Sequence, residues 1–409
     1  FALYGSMAAL VFGPLFFPEF SPLAGTLAAL ATFAVGFVAR PLGSIFFGHF
    51  GDRIGRKSML VLCLLIAGSA TFLMGVLPTY ATIGIWAPVL LVTLRFVQGF
   101  SFGGEYAGAV LMVAEYAPPE RRGFFSGFVP AGSPVGLMLA NGTVLLVALM
   151  PREQFLAWGW RLPFLFSIVL VAIGLYIRLK IYETPAFRRV RETRTEARMP
   201  IIDVLRRSPG RVLLAGGISF GFAAIFYITI IFLLSYGTSQ LGISGSVLLV
   251  GTIIGAVFQI ATILGFNALS DRIGRRPVII GGALVSAALA FPFFWLLQSG
   301  APALVWLAIT AMMVSSAAIY GPLAVLLAEL FGTRLRYSGA SLGYQLGATI
   351  GGGFSPLIAT SILAWSGGGP WPVALYLVAV GLVAAACTYL LTETVRADML
   401  EDVPAVGYE

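Results

Sequence analysis

The sequence predicts an all-α membrane protein whose twelve transmembrane helices form two six-helix halves. Three observations lead there. Of the 409 residues, 59% are hydrophobic and only 10% charged, and the mean hydropathy is +0.95. A soluble core cannot use that much apolar surface, whereas a bundle of membrane spans needs it. Apolar stretches of about 20 residues, the length that crosses a bilayer, recur from one end of the chain to the other. The basic residues then fall in alternate gaps between these stretches, and the alternation never breaks.

The spans are placed at 1–18, 22–49, 58–78, 86–114, 124–149 and 161–183, and then at 211–237, 245–269, 277–298, 302–330, 338–364 and 372–393. They leave no room for a soluble domain. Arg53, Arg56 and Lys57 lie between spans 2 and 3, and Arg121 and Arg122 between 4 and 5. Eight arginines from Arg188 to Arg211 separate spans 6 and 7. Arg272, Arg275 and Arg276 follow span 8, and Arg334 and Arg336 follow span 10, while the opposite side offers only Arg152 and Arg161. By the positive-inside rule the loaded loops, and with them both termini, are cytoplasmic. The expected division is a first six-helix domain at 1–183, a cytoplasmic linker at 184–210, a second domain at 211–393 and a tail at 394–409. Phe1 opens inside an apolar stretch, so the first span is expected to continue upstream.

A net charge of +8 and a pI near 9.7 are explained by topology and anionic lipid, with no nucleic-acid partner, because the cations sit in short loops beside a membrane. Cys63 and Cys387 fall inside spans, which excludes a disulfide framework and metal-ligand spacing. Asn141-Gly-Thr143 has the form of a glycosylation acceptor but lies within span 5. One histidine, no metal constellation, no nucleophile elbow and no phosphate loop argue against an enzyme and against any cofactor.

Along the chain, Arg40-Pro41 lies twelve residues before Asp52, so Arg40 stands about 18 Å up span 2. It is either a cation facing a cavity or half of a pair that holds two helices. Gly48-His-Phe-Gly-Asp-Arg-Ile-Gly-Arg-Lys57 reads as a tight loop in which His49 is structural. Span 4 carries Arg95, Gln98 and Glu105 among Gly99, Gly103, Gly104 and Gly108. Ionisable groups at membrane depth usually face a protein interior or watery cavity, and the glycines allow close helix packing. Gln98 and Glu105, seven residues apart, share a face. Glu105 is the one acid placed at mid-membrane depth, about 15 Å above Glu115.

Ser270-Asp-Arg-Ile-Gly-Arg-Arg276 echoes Gly51 to Lys57, and Ala328 to Gly339 echoes the end of span 4, both offset by a little over half the chain. Two six-span halves therefore repeat in parallel. The second half supplies polar groups at depth: Tyr227, Gln259, Tyr320, Tyr344 and Gln345. Gly343, Gly347 and Gly351 form a small-residue stripe on span 11.

These motifs resemble the major facilitator superfamily and, within it, the metabolite:proton symporters, which include permeases for α-ketoglutarate, citrate, shikimate and proline/betaine. Gly48 to Lys57 is similar to the superfamily's loop 2–3 signature, with a weaker copy at Asn267 to Arg276. Arg95-Phe-Val-Gln-Gly99 with Gly103-Gly-Glu105 is similar to the subfamily's fourth-span motif. Trp158 to Phe164, Glu183-Thr-Pro-Ala-Phe187 and Tyr337-Ser-Gly-Ala-Ser-Leu-Gly-Tyr-Gln345 resemble it as well. Members carry an acidic stretch just before the equivalent of Phe1, and often a Gln where this chain has Leu323.

The resemblance implies two domains around a central cavity and uptake, in a plasma (inner) membrane, of a small organic acid or zwitterion coupled to inward proton flow. An antiporter or exporter built from the same parts, and a membrane sensor that binds solute without moving it, stay open. The expected substrate residues are Arg40, Arg95, Gln98, Tyr227, Gln259, Tyr320, Tyr344 and Gln345. Glu105, with Arg95, is expected to couple the proton. Asp52, Arg56 and Glu115, repeated as Asp271, Arg275 and Glu329, are expected, with Arg53 and Arg336, to clasp the domains when the cavity faces out. The expected partners are the substrate, protons and lipid, and the expected state is a monomer.

Overall fold

The computed structural model describes residues 2–54, 56–180, 204–206, 208–331 and 336–395. Its long apolar helices are α1 (Ala2–Phe16), α2 (Pro22–Phe47), α3 (Ser58–Val76), α4 (Trp86–Tyr116), α5 (Pro119–Val147) and α6 (Gly159–Ile177). The second set is α7 (Pro209–Ser239), α8 (Gly245–Ile273), α9 (Arg275–Gln298), α10 (Pro302–Leu330), α11 (Arg336–Trp365) and α12 (Trp371–Leu390). Eleven are long enough to cross a membrane; α1 is shorter. Helices are the form such a chain must take, because hydrocarbon offers no partner for backbone N–H and C=O groups. The spans read from the sequence agree with these bounds to within a few residues.

Small residues draw the helices of the first half together. Gly36 and Gly43 of α2 meet Gly99 and Gly103 of α4 backbone to backbone, so a Cβ on Gly99 would run into the Gly36 carbonyl. In the second half Gly347 and Gly351 of α11 stand against the α7 backbone at Gly216 and Phe220. That is the close packing expected of the span 11 stripe. Pro41, Pro134, Pro292 and Pro322 lie inside helices.

The helical ladder is irregular at related places. α1 and α7, the first helix of each half, both carry a π turn, at Ala8–Phe12 and Ile228–Phe232. α11 carries another at Thr349–Phe354. Such turns mark functional positions in many helices. α4 breaks at Gly103–Gly104, ending one helical segment at Phe102 and starting the next at Glu105.

The halves meet along two seams. In one, α2 packs against α11, where Phe37 lies over Gly352 and Gly353. In the other, α5 meets α8 through buried Asn141, whose Nδ2 donates to Thr252 Oγ1 at 2.8 Å. The Asn141 Oδ1 atom accepts from Ser6 Oγ of α1 at 2.8 Å. The residue with the form of a glycosylation acceptor is thus a buried tie between three helices. Large side chains such as Ile168, Trp295 and Leu307 cover the outer surface, as lipid contact requires.

Candidate functional site

A cavity of about 500 Å³ lies between the halves. Four of the second-half residues singled out from sequence line it: Tyr227, Tyr320, Tyr344 and Gln345. From the first half come Arg40 and Glu105. The wall is otherwise largely apolar, with small residues such as Gly132, Ser133 and Gly136 on α5. One guanidinium and one carboxylate among phenol hydroxyls and an amide suit a small polar ligand that bears a carboxylate.

Arg40 is aimed by its aromatic neighbours. Its guanidinium carbon lies 4.0 Å from the centre of the Phe37 ring, one turn back on α2, and 5.7 Å from that of Phe102 on α4. Such contacts hold the guanidinium in place over aromatic faces, and a guanidinium has the planar fork that can grip a carboxylate at two points.

Tyr106 comes next after Glu105. Its ring stacks on Tyr344 of α11 at 4.0 Å between centres and lies 6.1 Å from Tyr320 of α10, nearly parallel to both. Tyr320 stacks in turn on Phe222 of α7 at 3.9 Å. A first-half ring therefore packs on two second-half rings beside the cavity.

Three of the expected substrate residues lie behind the wall. Arg95 has no exposed surface. Its guanidinium sits 4.3 Å over Tyr4 and 4.9 Å from the Phe33 ring, and its Nη1 donates to Gln98 Oε1. Gln98 passes the connection on, its Nε2 donating to Thr71 Oγ1 at 2.6 Å. Of these three linked residues, Thr71 is the one that reaches the cavity. Gln259 is fully buried between α8 and α10, with Nε2 donating to Ser316 Oγ at 3.1 Å. For Arg95 and Gln98 the reason is rotational: this face of α4 is turned toward α1, α2 and α3, where Tyr4, Phe33 and Thr71 meet it.

Three of the second-half gate residues, Asp271, Arg275 and Glu329, form one network. Arg275 Nη1 donates to Asp271 Oδ1 at 2.6 Å, and its Nη2 and Nε donate to the two oxygens of Glu329 at 3.1 and 3.3 Å. Asp271 also accepts the backbone N–H of Gly123 at 2.8 Å and of Phe124 at 2.9 Å, both in the first half, and Arg122 approaches Glu329 at 3.9 Å. The bundle is thus held shut at its basic end by a carboxylate seated on backbone N–H groups in the first turn of a helical segment, an arrangement favoured where a helix begins. Arg336 is buried, with Nε donating to the Phe331 carbonyl at 3.1 Å. Glu115 stands near the end of α4. The side chains of Asp52, Arg53 and Arg56 lie outside the described residues.

Sequence reasoning missed Glu393 and Thr394. Glu393 accepts the backbone N–H groups of Arg275 and Arg276 at 2.9 and 3.0 Å, which caps α9. Thr394 Oγ1 donates to Glu329 Oε2 at 2.7 Å. The segment expected to be a tail therefore begins inside the gate. A signal was available, since Glu183-Thr184 after the sixth span recurs as Glu393-Thr394 after the twelfth.

The sequence profile of the Major Facilitator Superfamily matches residues 1–344. The shikimate transporter of Escherichia coli (strain K12) is 44% identical, over 97% of this chain and 92% of that protein. The proline/betaine transporter of Salmonella typhimurium is 34% identical, over 100% of this chain and 83% of its own length. Among solved structures, the proton:xylose symporter XylE bound to 6-bromo-6-deoxy-D-glucose superposes with a TM-score of 0.75 at 18% identity. That match covers 96% of this chain and 94% of XylE.

Proposed function

Because the chain belongs to the Major Facilitator Superfamily, a family of transporters and not of enzymes, we propose that it is a symporter that imports a small organic acid or zwitterion together with protons. The observation that carries this reading is the pairing of Arg40 and Glu105 on the wall of one cavity between the halves. The arginine is the substrate cation, since its fork matches a carboxylate. The glutamate is the proton carrier, as the acidic side chain on the wall of a cavity that alternating access opens to each side in turn. The names of the relatives, a shikimate transporter and a proline/betaine transporter, bracket the substrate class: a carboxylate on a compact, polar or cyclic frame. The tyrosine hydroxyls and the Gln345 amide suit such a frame.

Transport is by alternating access, with residues 1–183 and 211–393 rocking as two domains about the cavity. The chain is a multi-pass membrane protein. We place it in the inner membrane as a monomer, with its basic end and both termini in the cytoplasm. The test is uptake of labelled hydroxylated ring acids and betaines into proteoliposomes under an imposed pH gradient. Accumulation that follows the gradient supports the proposal. Uptake that ignores the gradient removes the proton, outward-driven exchange makes an antiporter of it, and saturable binding without flux makes a sensor.

A further inference from the structure

The break in α4 has partners on the other half of the molecule, and they form a row. Tyr337 Oη donates to the Gly104 carbonyl at 2.8 Å, and Ser341 Oγ to the Gly103 carbonyl at 3.3 Å. Gln345 Nε2 donates at 3.3 Å to the carbonyls of both Phe102 and Gly103. One turn further, Thr349 Oγ1 donates to the Phe37 carbonyl of α2 at 2.9 Å. Positions 337, 341, 345 and 349 are spaced by four, so they stand one above another on a single face of α11.

Carbonyls at the end of a helical segment lack intrahelical donors. In a dry environment they must find others. At this break they are the carbonyls of Phe102 and Gly103, while Gly104 caps the next segment and takes the Tyr337 hydroxyl as a further donor. Here the donors come from across the domain interface. The α4 break and the α11 row satisfy each other, and neither arrangement is complete once the halves part at the basic end.

We infer that the Tyr337–Ser341–Gln345 row of α11 is a latch that couples the Glu105 turn of α4 to closure of the two halves. Glu105 is the first residue after the break, so the row fixes where its carboxyl group stands on the cavity wall. When the basic end opens, the carbonyls of Phe102 and Gly103 exchange these donors for water or for the N–H groups of a closed α4 ladder, and that of Gly104 loses the Tyr337 hydroxyl. The Glu105 turn is displaced in either case. Tyr337 and Ser341 act as positioning residues for transport, through α4 and not by contact with substrate, and Gln345 joins them from the cavity wall.

The inference rests on the alternating-access reading, and its test needs no substrate. Spin labels at Glu120→Cys and Leu390→Cys, exposed sites on the two halves at the basic end, report the distance between the halves. Cys63 and Cys387 are replaced by serine. Tyr337→Phe, Ser341→Ala and Gln345→Leu each remove donors, and each should raise the open-to-closed ratio about two- to tenfold, the value of a net hydrogen bond. Ser338→Ala, on the same helix but off the row, should leave the ratio unchanged. Thermal melting identifies a variant that does not fold, and any one folded member of the three suffices to decide. An unchanged ratio in the donor-deleted variants, or an equal shift from Ser338→Ala, overturns the latch. Because the distances are read without ligand, failure to find a transported compound leaves that outcome intact.

Discussion

Replacing Asp271 by asparagine tests the gate at the bond that crosses between the halves. Asp271 Oδ1 accepts from Gly123 N at 2.8 Å and Arg275 Nη1 at 2.6 Å, and Oδ2 accepts from Phe124 N at 2.9 Å. Asparagine keeps one acceptor oxygen but turns an NH₂ group toward a donor it cannot accept from. A hydrogen bond to a charged group contributes about 1.5–3 kcal/mol. Losing one such bond, and the charge behind the other, should cost the closed state about 2 kcal/mol, or roughly thirtyfold in the closed-to-open ratio. Glu329 keeps Arg275 and Thr394 as partners, so the variant should fold. The cavity does not include residue 271, so substrate affinity measured in either closed form should hardly move. Turnover in proteoliposomes should fall, because the form shut at the basic end is no longer populated enough to complete the cycle. The Glu120 and Leu390 spin-label pair reads the ratio directly. Wild-type turnover together with an unchanged ratio would refute the reasoning, since the bonds would then contribute nothing to the choice between states.

Other outcomes follow from the same geometry. Arg40→Ala should weaken substrate binding by about 3 kcal/mol, a hundredfold or more, and Arg40→Lys should restore little, because an ammonium has no planar fork to stack on Phe37; calorimetric titration decides. Arg95→Ala should instead lower thermal stability, by about 2–4 kcal/mol, with affinity nearly unchanged, since the side chain is fully buried against Tyr4 and Phe33. A large loss of affinity at wild-type stability would return Arg95 to the binding site. Glu105→Gln mimics the protonated acid and should abolish uptake driven by a pH gradient while leaving substrate exchange intact; gradient-driven uptake at the normal rate removes Glu105 from the proton path. Gly99→Ala puts a Cβ into the Gly36 backbone and should cost several kcal/mol or prevent folding, of order the cost of overpacking a rigid core, as read by the yield of monodisperse protein.

The fold class, the spans and the alternation of basic loops were legible from sequence because they are one-dimensional quantities. Each span satisfies its own backbone, so its position depends on local hydropathy and little else. The internal repeat showed in the same way and pointed to Asp271, Arg275 and Glu329, which the tertiary structure joins in one network. What could not be read was rotation. Arg40 and Arg95 have the same signature, a lone arginine in an apolar helix, yet one lines the cavity and the other stands behind it under two aromatic rings. How α4 is turned toward α1, α2 and α3 sets that difference, and contacts between distant residues leave no mark on local composition. The break at Gly103–Gly104 and the capping of α9 by Glu393 are of the same kind. A carbonyl's need for a donor is local, but which donor meets it is decided only when the two halves close.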